Sequence, residues 1–134
     1  MEKIKNWVTD KEIETLRKAA KKTRYPIRNE LIILMLYRHG LRVSELCKIK
    51  LEQINLDTAS VFIKRSKNGI DGMHPIAGDE LRLIRRYLRE RQSDLPWLFV
   101  SERGTAFARS SVNKILEQCS NLADIPPVNP HMLR

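Results

Sequence analysis

The chain has 134 residues, 42% of them hydrophobic and 31% charged, with 25 Lys and Arg against 16 Asp and Glu for a net charge of +9. That length and balance predict one domain with room for a real core, and they exclude a disordered chain. The longest apolar run, Leu31 to Leu36, falls far short of the ~20 residues of a spanning helix, and the basic excess favours a polyanion, nucleic acid before anionic membrane.

The opening MEKIKNW turns acidic and amphipathic too early for a signal peptide. Thr9 and Glu12 have the spacing of a capping box, with Val8 and Ile13 as a hydrophobic staple, so a helix starts there and runs to about Thr23. Tyr25-Pro26 breaks the chain. A second helix, Arg28 to His39, is apolar on almost every side and is expected to be buried, with Gly40 as its left-handed end. A short helix follows from Val43 to Ile49. The period then shifts to strands at Gln53–Leu56, Ser60–Ser66 and Met73–Ile76, with Asn68-Gly69 and Gly72 marking a hairpin and Pro75 placing the third strand at an edge.

Gly78-Asp79 opens a helix to about Gln92, with Leu81, Ile84 and Leu88 on one face and Arg82, Arg85, Arg86, Arg89 and Arg91 opposite. Trp97–Val100 reads as a short extended piece, and Ser110 or Ser111 as the cap of a helix carrying Val112, Ile115, Leu116, Cys119 and Leu122. Pro126-Pro127 and Pro130 lead to His131-Met132-Leu133-Arg134. The order gives an α+β fold, mostly α, with a small three-stranded antiparallel sheet.

Residues 1–40 carry ten basic and five acidic side chains, residues 41–92 eleven and seven, and residues 93–134 four of each. A polyanion surface is therefore expected mainly from the first two thirds; an ordinary solvated face is the alternative. Cys47 and Cys119 sit in apolar helical patterns without a CxxC or Cys/His cluster. Neither structural zinc nor a disulfide framework is expected, and free thiols in a reducing cytosol are the simple reading. No GxGxxG, Walker loop, HExxH or GxSxG occurs.

Cationic groups at structural junctions carry the chemistry. Arg42 follows the Gly40 helix end in His39-Gly40-Leu41-Arg42-Val43-Ser44-Glu45-Leu46. Its guanidinium can grip a phosphate with two bonds, and Glu45, one turn on, can orient it; the plain alternative is a surface ion pair. Lys67, just before Asn68-Gly69, can lay an ammonium into a groove and donate a proton, or merely solubilise a turn. Pro130 suits a first helical turn, which puts His131 at a helix start and Arg134 one turn on, a pairing suited to an anion. His74, beside Pro75, reads as structural.

GLRVSEL, then Lys67 in KRSKNG before a His-Pro strand, FVSERG, PHMLR and the opening VTDKEIETLRKAA occur in one order. Together they resemble the catalytic domain of the tyrosine recombinases, the phage integrase family, and within it the short fimbrial phase-switch recombinases. The resemblance covers essentially the whole chain. It implies that Arg42 and Arg134 hold non-bridging oxygens of a scissile phosphate and that Lys67 protonates the departing 5′-hydroxyl. His131 is implied as acid/base and phosphate ligand, and Glu45 as support for Arg42. Phosphoryl transfer of this kind uses fixed cations around the developing charge, so no cofactor or metal is expected.

The family places a further His or Trp and then the Tyr nucleophile after the HxxR box, and Tyr25, Tyr37 and Tyr87 do not match that position. The expectation is thus a catalytic domain over 1–134, cut after that box and without a preceding clamp domain. The implied activity is site-specific DNA inversion or integration through a 3′-phosphotyrosyl intermediate. Double-stranded DNA is the partner, self-association reaches a tetramer on two duplexes, and the location is cytoplasmic. The alternative is a catalytically inactive DNA-binding fragment or regulator derived from such an enzyme. A helix-turn-helix over Val43–Leu56 is disfavoured, because a hairpin follows where a recognition helix should lie.

Overall fold

Thr9 opens the first helix through the reciprocal cap its spacing predicts. In the computed structural model, which describes residues 7–66 and 68–134, the Glu12 amide donates to the Thr9 hydroxyl at 3.1 Å and the Thr9 amide to the Glu12 carboxylate at 3.0 Å. Two donors that the first turn would leave orphaned are thereby satisfied. Helix α1 spans Asp10–Ala20 and ends earlier than periodicity suggests, because the Thr23 hydroxyl donates to the Ala20 carbonyl at 2.6 Å and closes the last turn.

Helix α2, Pro26–Arg38, is the spine, with Pro26 in its first turn. Every residue from Ile27 to Leu36 is buried, including three polar ones. Each of these has a partner. Arg28 lies over the Tyr25 ring at 4.4 Å and the Phe107 ring at 4.9 Å and pairs with Glu102 at 3.0 Å. Glu30 pairs with Arg17 at 3.0 Å, and the Asn29 amide donates to Thr23 at 2.9 Å. Helices α1 and α4 (Gly78–Glu90) pack along α2, and α5 (Arg109–Leu122) closes on α1.

Helix α3 (Val43–Cys47) and a 3₁₀ turn (Leu51–Gln53) lead into the sheet of β1 (Ile54–Asn55), β2 (Ser60–Ile63) and β3 (Gly72–Pro75). Its order is β1-β2-β3, antiparallel, with Ile54 opposite Val61 and Ser60 opposite Pro75. Pro75 does lie on an edge strand. Val61 and Ile63 point to the core, as the period of two requires. β2 and β3 form the expected antiparallel hairpin, with strands shorter than expected. The Arg65 amide donates to the Asp71 carboxylate at 2.8 Å and ties the loop ends together. Lys67 lies outside the described residues.

Helix α4, Gly78–Glu90, buries Glu80, Leu83, Ile84 and Tyr87. The apolar face is therefore rotated from the expected Leu81, Ile84 and Leu88, which are at most partly displaced into the rim except for Ile84. Two contacts set the rotation: Tyr87 packs on Phe99 with ring centroids 5.4 Å apart, and Glu80 is drawn inward by His39. Arg82, Arg85, Arg86 and Arg89 are exposed as expected. Arg91 is not part of that face. Its guanidinium donates to the carbonyls of Ser93, Leu95, Trp97 and Leu98 and folds the next segment back on itself.

Trp97–Val100 forms only isolated bridges, Lys50 with Trp97 and Val100 with Ala106. Helix α5 spans Arg109–Leu122 with Ala108 as N-cap, so Ser110 and Ser111 lie inside its first turn rather than capping it. Phe107, buried between Phe99 and Arg28, fixes the chain just before this start. A 3₁₀ turn, Pro130–Leu133, follows, with the Asn129 side chain accepting from the Met132 amide at 3.1 Å. Among the described residues no helix is long and apolar enough to cross a membrane.

Candidate active site

The site begins where α2 ends. Gly40 adopts φ +57°, a left-handed conformation that glycine tolerates, and turns the chain so that buried Leu41 anchors it and Arg42 faces out. Arg42 is the residue before α3. Its amide donates to Glu45 Oε1 at 2.8 Å, so Glu45 caps the helix from its third position.

Glu45 is buried, and its carboxylate collects donors from two elements. Besides Arg42, it accepts from the Ser66 amide at 2.8 Å, the Ser66 hydroxyl at 3.3 Å and Arg65 Nη1 at 3.2 Å. Burial pushes this carboxyl up, but the Arg42 and Ser66 amides and the Arg65 guanidinium outweigh it, and Glu45 titrates below its ordinary range. The charge of Glu45 is thus largely committed elsewhere. Its contact with Arg42 Nη1 is long, at 3.4 Å, and the same Nη1 donates to the Ser66 carbonyl at 3.1 Å. The Arg42 side chain keeps 39% exposure. A simple surface ion pair does not describe this arrangement; Arg42 is held, not neutralised.

From the other end of the chain, Arg134 Nε donates to the Gly40 carbonyl at 3.2 Å. The turn that carries it is anchored by buried Leu133 and Val128. The Val128 amide donates to the Ser120 hydroxyl at 3.0 Å, which itself donates to the Leu116 carbonyl on α5. Arg42, His131 and Arg134 thereby line one open groove of about 810 Å³, together with Ser66, Lys48, Arg109 and Asn113. Four cationic side chains and an imidazole border it, and no carboxylate side chain is among its described lining residues. Such a surface can bind an anion with several oxygens and stabilise charge that develops on it.

Of the residues singled out from sequence, Arg42, His131 and Arg134 meet here and Glu45 lies directly beneath. Lys67 is outside the described residues; Ser66, its neighbour, is bonded to both Arg42 and Glu45. Sequence reasoning missed Lys48, Arg65 and Arg109. Lys48 has a helical offset from Ser44 that could have placed it on the groove side, whereas Arg65 and Arg109 had no signal beyond charge. The neutral last third adds Arg109, His131 and Arg134 to Arg42, Lys48, Lys50 and Lys64 from the first two thirds, because local placement, not net count, makes the surface. A second cavity of about 410 Å³ continues past Lys48 along Lys50, Phe62, Lys64 and Trp97, with Lys50 Nζ 5.6 Å from the Trp97 ring centre.

The chain's three tyrosines lie elsewhere. Tyr25 stacks with Arg28, the Tyr37 hydroxyl donates to Asp10, and the buried Tyr87 hydroxyl accepts from the Val100 amide at 3.3 Å. None lines the groove.

Comparison with known proteins places the fold and the family. Residues 6–134 match the model of the phage integrase family. The chain is 31% identical over 137 residues to the type 1 fimbriae regulatory protein FimB of Escherichia coli K12, covering 98% of this chain and 68% of that protein. It is 38% identical over 130 residues to tyrosine recombinase XerA of Pyrococcus furiosus, covering 95% of this chain and 44% of that one. A crystal structure of XerA recombinase superposes with a TM-score of 0.82 at 26% identity, and the chain spans 95% of itself but about half, 47%, of that structure. XerH recombinase bound to its difH substrate, at 21% identity and a TM-score of 0.76, shares the fold. The chain belongs to the phage integrase family.

Proposed function

We propose that this chain forms the phosphate-gripping part of a tyrosine-type site-specific DNA recombinase. The observation that carries the reading is the groove bordered by Arg42, Arg134 and His131, with no carboxylate side chain among its described lining residues. A scissile phosphate seated there places its non-bridging oxygens against the two guanidinium groups. His131 exchanges a proton at the phosphate, and Lys67 protonates the departing 5′-hydroxyl oxygen. Glu45 positions Arg42. A tyrosine hydroxyl attacks phosphorus and forms a 3′-phosphotyrosyl bond as the P–O5′ bond breaks. A 5′-hydroxyl from a second duplex then reverses the step, so the bond energy is conserved and no nucleotide is consumed.

Double-stranded DNA is the partner, and Lys48, Lys50 and Lys64 extend the cationic track beyond the phosphate. Pairing of two duplexes calls for self-association on DNA, with a tetramer as the working state. The domain reading is that residues 1–134 form the catalytic domain through the HxxR box. Because no tyrosine of residues 1–134 lines the groove, a second reading is favoured for this chain by itself: it binds DNA without cutting it. A nicked suicide duplex separates the two. Residues 1–134 are expected to bind it and form no covalent adduct, whereas the same residues joined to a tyrosine-bearing C-terminal segment of the family form one that Arg42→Ala largely abolishes. An adduct on Tyr25, Tyr37 or Tyr87 of residues 1–134 contradicts the reading.

A further inference from the structure

Behind the groove lies a buried polar network that phosphate binding does not use. His39 is 5% exposed and Glu80 fully buried. His39 Nε2 lies 2.7 Å from Glu80 Oε2 on α4, and His39 Nδ1 lies 3.0 Å from His74 Nδ1 on β3. Glu80 Oε1 has no hydrogen-bond partner among the described residues, its nearest cation being Arg38 Nη1 at 3.9 Å. Around this network stand Arg38 and Arg17, both paired with Asp79, and Arg65. Two ring nitrogens 3.0 Å apart need one proton between them; two N–H groups collide and two lone pairs repel. A buried carboxylate with so few donors is costly unless its one imidazole donor stays in place. Every nitrogen of His39 is therefore committed, one to a helix and one to a strand.

The backbone of the same residue carries the groove. Arg65 Nη2 donates to the His39 carbonyl at 2.8 Å, and Arg65 Nη1 to the Gly40 carbonyl at 3.1 Å. The Gly40 carbonyl also receives Arg134 Nε. Two guanidinium groups thus rest on two consecutive carbonyls whose position the His39 ring fixes from behind. We propose that His39, clamped between Glu80 and His74, is a positioning residue that sets the carbonyl seat of Arg65 and Arg134 and so the shape of the phosphate groove. Its effect on DNA rests on the function proposed above; its effect on the seat does not. The position of His74 at the half-exposed outer end of the chain of bonds also gives solvent a route to the network. Burial, together with His39 and Arg65, holds the His74 imidazole below the usual histidine range.

The test is NMR of the 134-residue chain, which needs no DNA. Long-range nitrogen–proton spectra report which ring nitrogens carry protons, and the proposal expects one proton shared between the two Nδ1 atoms. Both Nδ1 atoms unprotonated overturns it. His39→Gln keeps a donor for Glu80 and loses the bond to His74; His74→Phe acts at a half-buried strand position and keeps the test decisive should the first variant not fold. In the His74→Phe chain the Gly40 amide and Arg134 Nε–H signals are expected to shift while methyl signals of Leu16 and Ile33 stay. Affinity for a short fluorescent duplex is expected to fall about fivefold. A purely structural role lowers the melting temperature without moving those two reporters, and unmoved reporters in the folded His74→Phe chain refute the proposal. Failure of the unaltered chain to bind duplex counts against the proposed function, and the reporters still decide the role of His39.

Discussion

Removing the Glu45 carboxylate tests whether one buried charge organises the groove. Glu45→Ala strands the Arg42 and Ser66 amides and leaves Arg65, whose side chain is only 17% exposed, without its anion. Breaking a buried pair costs about 3–5 kcal/mol because the remaining charge stays desolvated. Glu45→Gln keeps an oxygen for one amide and a similar volume, so about 1–3 kcal/mol is expected. For a domain of this size each kcal/mol corresponds to roughly 3–6 °C in Tm. Urea denaturation of the three chains at pH 7 measures the difference. The pH dependence has a definite sign. The Glu45 carboxyl titrates below its ordinary range in the fold, so its contribution is complete above the unfolded-state carboxylate range of roughly pH 4.3 and is lost as pH falls through the lower folded value. The unaltered chain should therefore lose stability on acidification below pH 5 more steeply than Glu45→Gln. Equal stabilities for all three chains, or identical acid slopes, refute the idea that Glu45 ties α3 to the loop after β2.

Other expectations follow from single contacts. Arg91→Lys is expected to fail as a replacement, losing about 2–3 kcal/mol in urea denaturation, because an ammonium cannot reproduce a planar fork over four carbonyls. Burial pushes the thiols of Cys47 and Cys119 up to about 11, so alkylation of the native chain by iodoacetamide at pH 7.5 is expected to be far slower than for the chain in denaturant. Equal rates in the two conditions contradict the burial of those thiols.

Much of the architecture was legible because local chemistry and burial agree. The Thr9–Glu12 spacing makes a cap that needs no tertiary help, and the all-round apolar run of α2 leaves it no place but the core. Gly40 ends α2 as its position suggests. The rotation of α4 could not be read, since a buried Glu80 looks like a surface residue until His39 is placed beside it from forty-one positions away in sequence. The hairpin between β2 and β3 was legible from Asn68-Gly69 and Gly72, while Asp71 reaching back to the Arg65 amide is a side-chain contact that no turn pattern encodes. In the groove, Arg42, His131 and Arg134 stood out through their motifs. Arg109 did not, because it reaches the groove only through the tertiary placement of α5 against the Pro130–Leu133 turn, and the overall neutrality of residues 93–134 concealed it.

The most direct test of the phosphate groove is the salt dependence of duplex DNA binding by the chain and its variants. With Arg42 and Arg134 sharing one phosphate and Lys48, Arg109, Lys50 and Lys64 reaching its neighbours, log K should fall with log salt with a slope of about −4 to −5, at roughly −0.9 per neutralised phosphate. Arg42→Ala and Arg134→Ala should each weaken binding uniformly across sequences, and the two together should reduce that slope by about 1. Affinity that does not change with salt, or an Arg42→Ala, Arg109→Ala, Arg134→Ala triple variant that binds duplex with the slope of the unaltered chain, contradicts the account.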